Sequence, residues 1–252
     1  MLARAGHNSA MTSSTADASE RPDSYWWTGP TEEFPALEGS TETDVLIVGA
    51  GITGITLAYT LAEESVESVT LDAGPVAGSA SGRSAGFLLA APAEPYSEAI
   101  AIWGRAGARA VLEIGRRTHD RVRQLIETLE IPCDYRRSGS LRLTRTEEEA
   151  EDQRASLPLM RADGFSASEV APSTLLPAGV HERFTAAFIT EEDGEFHPVR
   201  FLHGLARAAE RRGARIHAHS ALIGARWQGG TWEARTTRGT VRARTLVIAT
   251  NA

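Results

Sequence analysis

The stretch from residue 44 to residue 72 constrains the fold of this 252-residue chain more than any other. Residues 45–48 form a short, continuous apolar run, which is typical of a parallel strand that is covered on both faces. The run leads directly into G-x-G-x-x-G at residues 49–54, after which apolar residues recur at helical spacing. A second apolar strand over 69–71 ends in Asp72. This order of strand, glycine turn, helix, strand and acid predicts a unit that binds a dinucleotide.

The glycine turn has a physical role at each position. Gly49 permits the tight turn, Gly51 lets the backbone approach a pyrophosphate closely, and Gly54 allows the helix to pack on the strand. The start of the helix, at Ile52 and Thr53, offers free N–H groups and a partial positive charge to the phosphates. These five residues therefore form the first part of the candidate site.

The end of the second strand and the loop after it narrow the choice of ligand. Asp72 lies 18 residues beyond Gly54, where a carboxylate accepts hydrogen bonds from ribose hydroxyls and repels a 2′-phosphate. The glycine motif alone does not choose between FAD and NAD. Residues 73–87 are mainly Gly, Ala and Ser with one Arg, whereas a nicotinamide fold would continue into its next helix and strand here. Such residues suit close approach to a flat, phosphate-bearing ligand, although a flexible surface loop has a similar composition.

Four segments carry a resemblance to a known family. The first is DVLIVGAGITGITLAYTLAE with VTLDAG after it, and the second is GSASGRSAGF, which is similar to the family's A-S-G-R-N-G-G-F. The third is CDYRRSGSLRLTRT at 133–146, and the fourth is FHPVRFLHGLARAAERRGARIHAHSAL, with LVIATNA at the end of the sequence. Together they span roughly residues 24–252. They resemble the D-amino-acid-oxidase-like FAD-dependent oxidoreductases, which act on amines and amino acids, and in particular the putrescine-type amine oxidoreductases.

The resemblance implies FAD as the cofactor and oxidation of a C–N bond in a small-molecule amine or amino acid, which gives an imine. It assigns the glycine motif and the acid after the second strand to the ADP half of FAD, residues 79–83 to the pyrophosphate and flavin ring, and the backbone of Leu222 to the adenine. Ser84 and Ala85 stand where Asn-Gly is commoner in the family, and no catalytic residue is assigned. The candidate cofactor residues are Gly49, Gly51, Ile52, Thr53, Gly54, Asp72, Ala73, Ser79, Ala80, Ser81, Gly82, Arg83, Leu222, Ala249 and Thr250.

The predicted fold is α/β: a Rossmann-like FAD/NAD(P)-binding domain with helices on both faces of its parallel sheet, a small antiparallel meander, and part of a mixed-sheet substrate domain. The small, polar residues at 1–22 show no periodicity and predict a disordered tail. The resemblance implies a discontinuous FAD-binding domain at 23–92 and 190–252, and a substrate domain portion at 93–189. Apolar spacing and turn residues predict the individual elements. These are helices over 98–130, 147–162 and 198–212, strands over 135–144, 184–190, 214–219 and 241–250, and a meander over 221–245.

Composition excludes several kinds of site. All 26 residues counted as Lys or Arg are Arg, so the chain has no lysine for a Schiff base or a phosphate loop. The net charge of -7 gives no reason to expect nucleic-acid binding. The single cysteine, Cys133, excludes an internal disulfide, and the His residues lack metal-site spacing, so we expect no metal site. No apolar run approaches the roughly 20 residues that span a membrane, and a soluble, cytoplasmic protein is expected.

A few other residues have more than one interpretation. The aromatic cluster at 25–27 is expected to pack on a nearby domain. His197, before Pro198, is expected to cap or pack at a strand-to-helix junction, and Cys133 to be a small buried residue. Residues 135–137 (Tyr-Arg-Arg) could reach a substrate carboxylate if their strand faces the flavin, or they could equally be solvated.

Alternatives to an amine-oxidising enzyme remain open from the sequence. The family runs well past 252 residues, so we expect an incomplete chain that turns over poorly alone and has a possible complementary C-terminal chain as partner. One alternative is a nicotinamide-dependent dehydrogenase. Another is a non-catalytic, truncated flavin-binding remnant, which would expose apolar surface around residues 246–252.

Overall fold

The computed structural model describes residues 24–28, 33–91 and 94–250, so the tail predicted at 1–22 lies outside the described residues. The strands are β1 Gly39–Val48, β2 Ser68–Leu71, β3 Phe87–Leu88, β4 Ser140–Thr144, β5 Ala167–Val170, β6 Ala186–Thr190, β7 Gly194–Glu195, β8 Arg215–His217, β9 Gly224–Gln228, β10 Thr231–Arg235 and β11 Gly239–Ile248. The α-helices are α1 Ile52–Glu63, α2 Tyr96–Leu129, α3 Glu147–Ala162, α4 Pro172–Leu175 and α5 Pro198–Glu210. Short 3-10 turns lie at Tyr25–Trp27, Ala80–Arg83 and His181–Arg183.

The largest sheet has six strands in the order β8-β2-β1-β11-β10-β9. Its first four strands are parallel, because β1 pairs with both β2 and β11, and β2 pairs with β8. Strands β10 and β9 continue the sheet antiparallel to one another, joined by a turn at Gly229 and Gly230, whose φ angles are 61° and 80°. The predicted βαβ unit and the predicted antiparallel meander are therefore both present, in one continuous sheet.

Helices α1 and α5 pack together on one face of this sheet. Gly54 of α1 lies directly against the side chain of Ile47 in β1. The apolar cluster on the opposite face consists of side chains of β1, β2, β10 and β11, together with Leu37 and Leu222. Among the described residues no helix contributes to this cluster, so the prediction of helices on both faces is wrong for this part of the chain.

A second, antiparallel sheet has the order β4-β6-β5 and packs against α3. Helix α2, predicted over 98–130, contacts α3 and α5 and bends at Gly104, whose φ of 70° and ψ of 161° are not helical. Leu112 of α2 packs with Met160 of α3, whereas Leu125, further along α2, joins the core of α1 and α5. The domain division at 93–189 remains a prediction.

Strands β4, β6 and β8 are shorter than the strands predicted over 135–144, 184–190 and 214–219. Of the strand predicted over 135–144 only β4 forms, because Gly139, with a φ of 76°, turns the chain just before it. Upstream, Arg136 makes only an isolated bridge to Glu195. Helix α3 has its predicted bounds, and strands β3, β5 and β7 are too short to show a period in the sequence. Among the described residues, no helix is both long enough and apolar enough to cross a membrane.

Candidate cofactor site

The glycine turn between β1 and α1 leaves no room for side chains at two of its positions. Gly49 has a φ of 114°, and a Cβ atom there would lie 2.6 Å from the carbonyl oxygen of Ala249. At Gly54 a Cβ atom would lie 1.8 Å from the carbonyl oxygen of Gly49. Both distances are far below a van der Waals contact, so the turn and the end of β11 approach each other as closely as backbones can.

The N-terminus of α1 opens toward the loop after β2. Its N-cap, Gly51, has no side chain to satisfy the free N–H groups of the first turn. The N–H group of Ile52 donates instead to the Ser81 hydroxyl oxygen, at 2.9 Å. Ile52 and Thr53 are exposed at this end of the helix, where the remaining free N–H groups of the first turn and the helix dipole favour an anion.

Asp72 connects the end of β2 to the glycine turn. One carboxylate oxygen accepts a hydrogen bond from the N–H group of Ala50 at 2.6 Å, and the other accepts from the N–H group of Gly74 at 2.9 Å. Each carboxylate oxygen can accept more than one bond, so the half-buried group retains capacity toward a ligand. Sequence reasoning missed the bond to Ala50, which fixes the turn before any ligand binds.

A cleft of about 640 Å³ lies between these elements, a volume within the range of small-molecule sites. Every predicted cofactor residue lines it except Gly54, Gly82 and Arg83. Gly54 is buried beneath the turn, Gly82 is buried beneath its own loop, and Arg83 is exposed outside the cleft. The lining residues that were predicted are Gly49, Gly51, Ile52, Thr53, Asp72, Ala73, Ser79, Ala80, Ser81, Leu222, Ala249 and Thr250.

Six further residues line the cleft without having been predicted: Val48, Leu71, Gly78, Ser220, Ala221 and Ile248. A signal for Ser220 was present, because β8 is parallel to β2 and the carboxyl ends of parallel strands share one edge of a sheet. Its N–H group donates to the Asp72 carbonyl at 2.6 Å, which brings the segment after β8 beside the segment after β2.

The other sequence candidates lie outside the cleft. His197 caps α5, its Nδ1 atom accepting from the N–H group of Arg200 at 3.3 Å, as predicted. Cys133 is buried as predicted, and burial raises the pKa of its thiol to about 11. The Tyr135 hydroxyl lies 3.3 Å from His119 Nδ1, and Arg137 pairs with Asp120. Within the described residues, no group of three or more His, Cys, Asp or Glu side chains is arranged to hold a metal ion.

The cleft has the chemical features that a bound FAD requires. The open helix N-terminus and the glycine backbone suit a pyrophosphate, and Asp72 suits ribose hydroxyls. Comparison with known families decides the assignment, because residues 44–252 match the family described as "DAO: FAD dependent oxidoreductase". The chain belongs to this family. The DAO-family match supports FAD rather than the nicotinamide alternative as the cofactor.

The DAO-family chain is similar to curated proteins across most of its length. It is 29% identical over 233 residues to gamma-glutamylputrescine oxidoreductase of Escherichia coli (strain K12), covering 87% of this chain and 51% of that protein. It is 26% identical over 226 residues to the probable oxidoreductase OrdL of Haemophilus influenzae, covering 87% and 51%. The chain thus spans about half the length of these curated relatives.

Solved structures share the fold of the DAO-family chain. The L-amino acid deaminase from Proteus myxofaciens superposes with a TM-score of 0.71 at 23% identity, covering 88% of this chain and 48% of that one. The glycine oxidase from Geobacillus kaustophilus gives a TM-score of 0.68 at 24% identity, covering 84% and 56%. At these identities the likeness establishes the α/β fold.

Proposed function

We propose that this DAO-family chain binds FAD in the cleft at the carboxyl ends of β1, β2 and β11, and that it serves the oxidation of a C–N bond in an amine or amino acid. The observation that carries the proposal is the cleft itself, built from the glycine turn, Asp72 and residues 79–81 in a chain of the FAD dependent oxidoreductase family. The named relatives support the substrate class, because they include a gamma-glutamylputrescine oxidoreductase, an L-amino acid deaminase and a glycine oxidase.

Each part of the cleft has a role in this proposal. The N-terminus of α1 at Ile52 and Thr53 receives the pyrophosphate, together with the Ser81 hydroxyl that bonds the Ile52 N–H group and the close backbone approach at Gly49 and Gly51. The carboxylate of Asp72 accepts from ribose hydroxyls, next to Ala73. The segment at Leu222 contacts the adenine, and the backbone at Ala249 and Thr250 approaches the cofactor from the other side.

The loop at 79–83 lies on the flavin side of the cleft in this assignment. Ser79, Ala80 and Ser81 contact the cofactor directly, whereas Gly82 and Arg83 support the loop from outside the cleft. When bound, FAD supplies the acceptor for the hydride that leaves the substrate carbon as its nitrogen loses a proton, which gives an imine that water hydrolyses. The chain's own contribution is to bind and orient the cofactor.

This proposal includes two further parts. The FAD-binding domain comprises residues 23–92 and 190–252, and residues 93–189 form a portion of the substrate domain. The protein is located in the cytoplasm.

The cofactor assignment is tested by the visible absorption spectrum of the purified chain after incubation with FAD and desalting. We expect a retained flavin spectrum, and we expect Asp72→Ala to lose it because the turn and the ribose contact both depend on that carboxylate. Asp134→Ala, which removes an exposed carboxylate paired with Arg200, is the matched control and should retain it. A colourless parent chain that binds NADH would instead support the nicotinamide-dependent alternative.

The substrate class is tested separately on the flavin-loaded protein. Small amines and amino acids are added without oxygen, and loss of the oxidised flavin absorption is followed. Bleaching by members of this class, but not by 2-hydroxy acids, is expected. A chain that retains FAD but is bleached by no amine or amino acid would contradict the substrate class and leave the cofactor assignment intact.

A further inference from the structure

Three residues near the start of the described chain contact one loop of the cofactor cleft. We call residues 24–27 the aromatic turn and residues 79–86 the serine loop. The Ser24 hydroxyl donates to the carbonyl oxygen of Gly82 at 2.6 Å, and the Trp26 indole N–H donates to the carbonyl oxygen of Ser84 at 2.7 Å. The Trp27 ring lies beneath Gly82, since a Cβ atom added there would be 2.9 Å from its Nε1 atom. The aromatic turn thus supplies donors and packing to a loop 58 residues away in sequence.

The serine loop is enclosed on its other side by the body of the protein. A Cβ atom at Gly82 would lie 2.0 Å from the carbonyl oxygen of Ala77. Gly86, with a φ of 78°, fits between the Trp26 ring and the carbonyl oxygen of Phe196, each 2.8 Å from where its Cβ atom would be. The Phe196 N–H group also donates to the Gly86 carbonyl at 2.9 Å. The loop is therefore held between two surfaces, one of which is the aromatic turn.

The aromatic turn is itself anchored on the helical side of the main sheet. The Trp26 ring meets His197 edge to face at 5.0 Å between centroids, and the Trp27 ring meets His203 at 5.7 Å. Trp27 is 7% exposed and belongs to the main core, whereas Tyr25 is 79% exposed. Two of the three aromatic rings thus point inward, and their contacts fix the direction of the donors that reach the serine loop.

The serine loop also touches the proposed phosphate site. Its Ser81 hydroxyl accepts the N–H bond of Ile52 at the start of α1, and residues 79–81 line the cleft. The same short loop therefore contacts the aromatic turn through Gly82 and Ser84 and contacts the N-terminus of α1 through Ser81. At most three residues of backbone separate Ser81 from the two carbonyls that the aromatic turn contacts, so a shift of Gly82 or Ser84 also shifts Ser81.

We propose that the aromatic turn is a positioning element of the cofactor cleft, which holds the serine loop so that Ser81 meets the N-terminus of α1. The inference rests on the proposed FAD site for its functional consequence. Loop carbonyls without donors leave the backbone free to move, and a ligand must then order that backbone as it binds. Because Ser24, Trp26 and Trp27 already order the loop, cofactor binding does not have to supply the conformational entropy of ordering it. They are positioning residues, because they act through the loop and do not line the cleft.

The test uses the full chain with Ser24 and Trp26 changed together, Ser24→Ala and Trp26→Phe. This pair removes both hydrogen bonds to the loop and keeps an aromatic ring beside His197. Hydrogen exchange of peptides covering 79–88, measured without FAD, reports the loop itself, and FAD titration reports the cleft. We expect exchange in the loop to accelerate and the Kd for FAD to rise by up to roughly thirtyfold, since the two lost bonds are worth about 1 kcal/mol each. Trp227→Phe, an exposed tryptophan in the meander, is the matched control and should change neither.

The outcomes separate this inference from the cofactor assignment. Unchanged exchange in the serine loop of the double variant would overturn the positioning role, whatever happens to FAD binding. If the parent takes up no FAD but the double variant still shows faster loop exchange than the parent, the result would support the hold on the loop and contradict the FAD site. If circular dichroism shows that the double variant is unfolded, each single variant is measured in the same way. Loop exchange equal to that of the parent in both single variants would then overturn the proposal.

Discussion

At the scale of single residues, Gly54 is the position where a methyl group has least room. An added Cβ atom would lie 1.8 Å from the carbonyl oxygen of Gly49 in the glycine turn and 3.3 Å from a methyl carbon of Ile47 in β1. We expect Gly54→Ala to lower the free energy of unfolding by about 1–3 kcal/mol, because α1 must move away from β1. Urea unfolding followed by circular dichroism measures this loss, and FAD affinity should fall with it.

The matched control for this change is Gly224→Ala. A Cβ atom at Gly224 meets nothing within 4 Å, and its φ is not positive, so we expect a change within about 0.5 kcal/mol. Equal destabilisation by the two substitutions would show that the close approach at Gly54 is not what the turn depends on.

Residue roles were predictable where they depend on neighbours in sequence. The need for glycine at Gly49 and Gly54 follows from the local strand-turn-helix geometry. The bonds from Ile52 to Ser81 and from Ala50 to Asp72 join segments 29 and 22 residues apart, and no pattern in the sequence specifies such pairs. The packing of the aromatic cluster was predicted, but its target was not, for the same reason.

At the scale of elements, helix α5 begins with a cap that titrates. His197 Nδ1 can accept the Arg200 N–H bond only while it is unprotonated, and burial, followed by the charge of Arg200, lowers the pKa of His197. The unfolded chain takes up this proton near pH 6.5 and the folded chain only at lower pH. The stabilisation is thus complete above about pH 6.5 and is lost as the pH falls from there toward the lowered pKa.

We therefore expect His197→Asn to flatten the pH dependence of stability. Asn is among the best N-cap residues and does not titrate, so the free energy of unfolding should stay near that of the parent at about pH 7.5 and exceed it at about pH 5.5. Urea unfolding at the two pH values measures both. His119 and His217 also have lowered pKa values, mainly because of burial, so part of the acid destabilisation should persist in the variant. An identical pH dependence in variant and parent would argue against the titrating cap.

Among the elements, those with strong local signals had predictable bounds. Helix α3 begins after a capping box formed by Thr146 and Glu149, and its predicted and observed bounds agree. The strand predicted over 135–144 lost its first half, because its residues have strand-like composition but only Arg136 among them forms a β-bridge, to Glu195. Among the described residues, the apolar cluster on the second face of the main sheet comes from β1, β2, β10, β11, Leu37 and Leu222, which are distant in sequence, so no local pattern predicts that a helix is missing from it.

At the scale of the whole molecule, FAD should act as a stabilising ligand. A ligand that binds only the folded state raises the free energy of unfolding by about 2.7 kcal/mol when its free concentration is about 100 times its Kd. We expect the melting temperature to rise with the logarithm of FAD concentration and to respond little to NADH. Thermal unfolding followed by circular dichroism tests this, with Asp72→Ala as the variant that should lose the response. A larger shift with NADH than with FAD would contradict the cofactor assignment.

The pairing of β1 with β11 has a consequence for how the protein is made. Partners in these central strands, such as Glu42 and Arg242, lie 200 residues apart in sequence. A ribosome adding about 5–20 residues per second needs about 10–40 s between synthesising the two strands. During that interval β1 has only β2 beside it, and its other edge is an open row of backbone donors and acceptors. Until β11 emerges, that edge of the nascent chain is open to pairing with another chain.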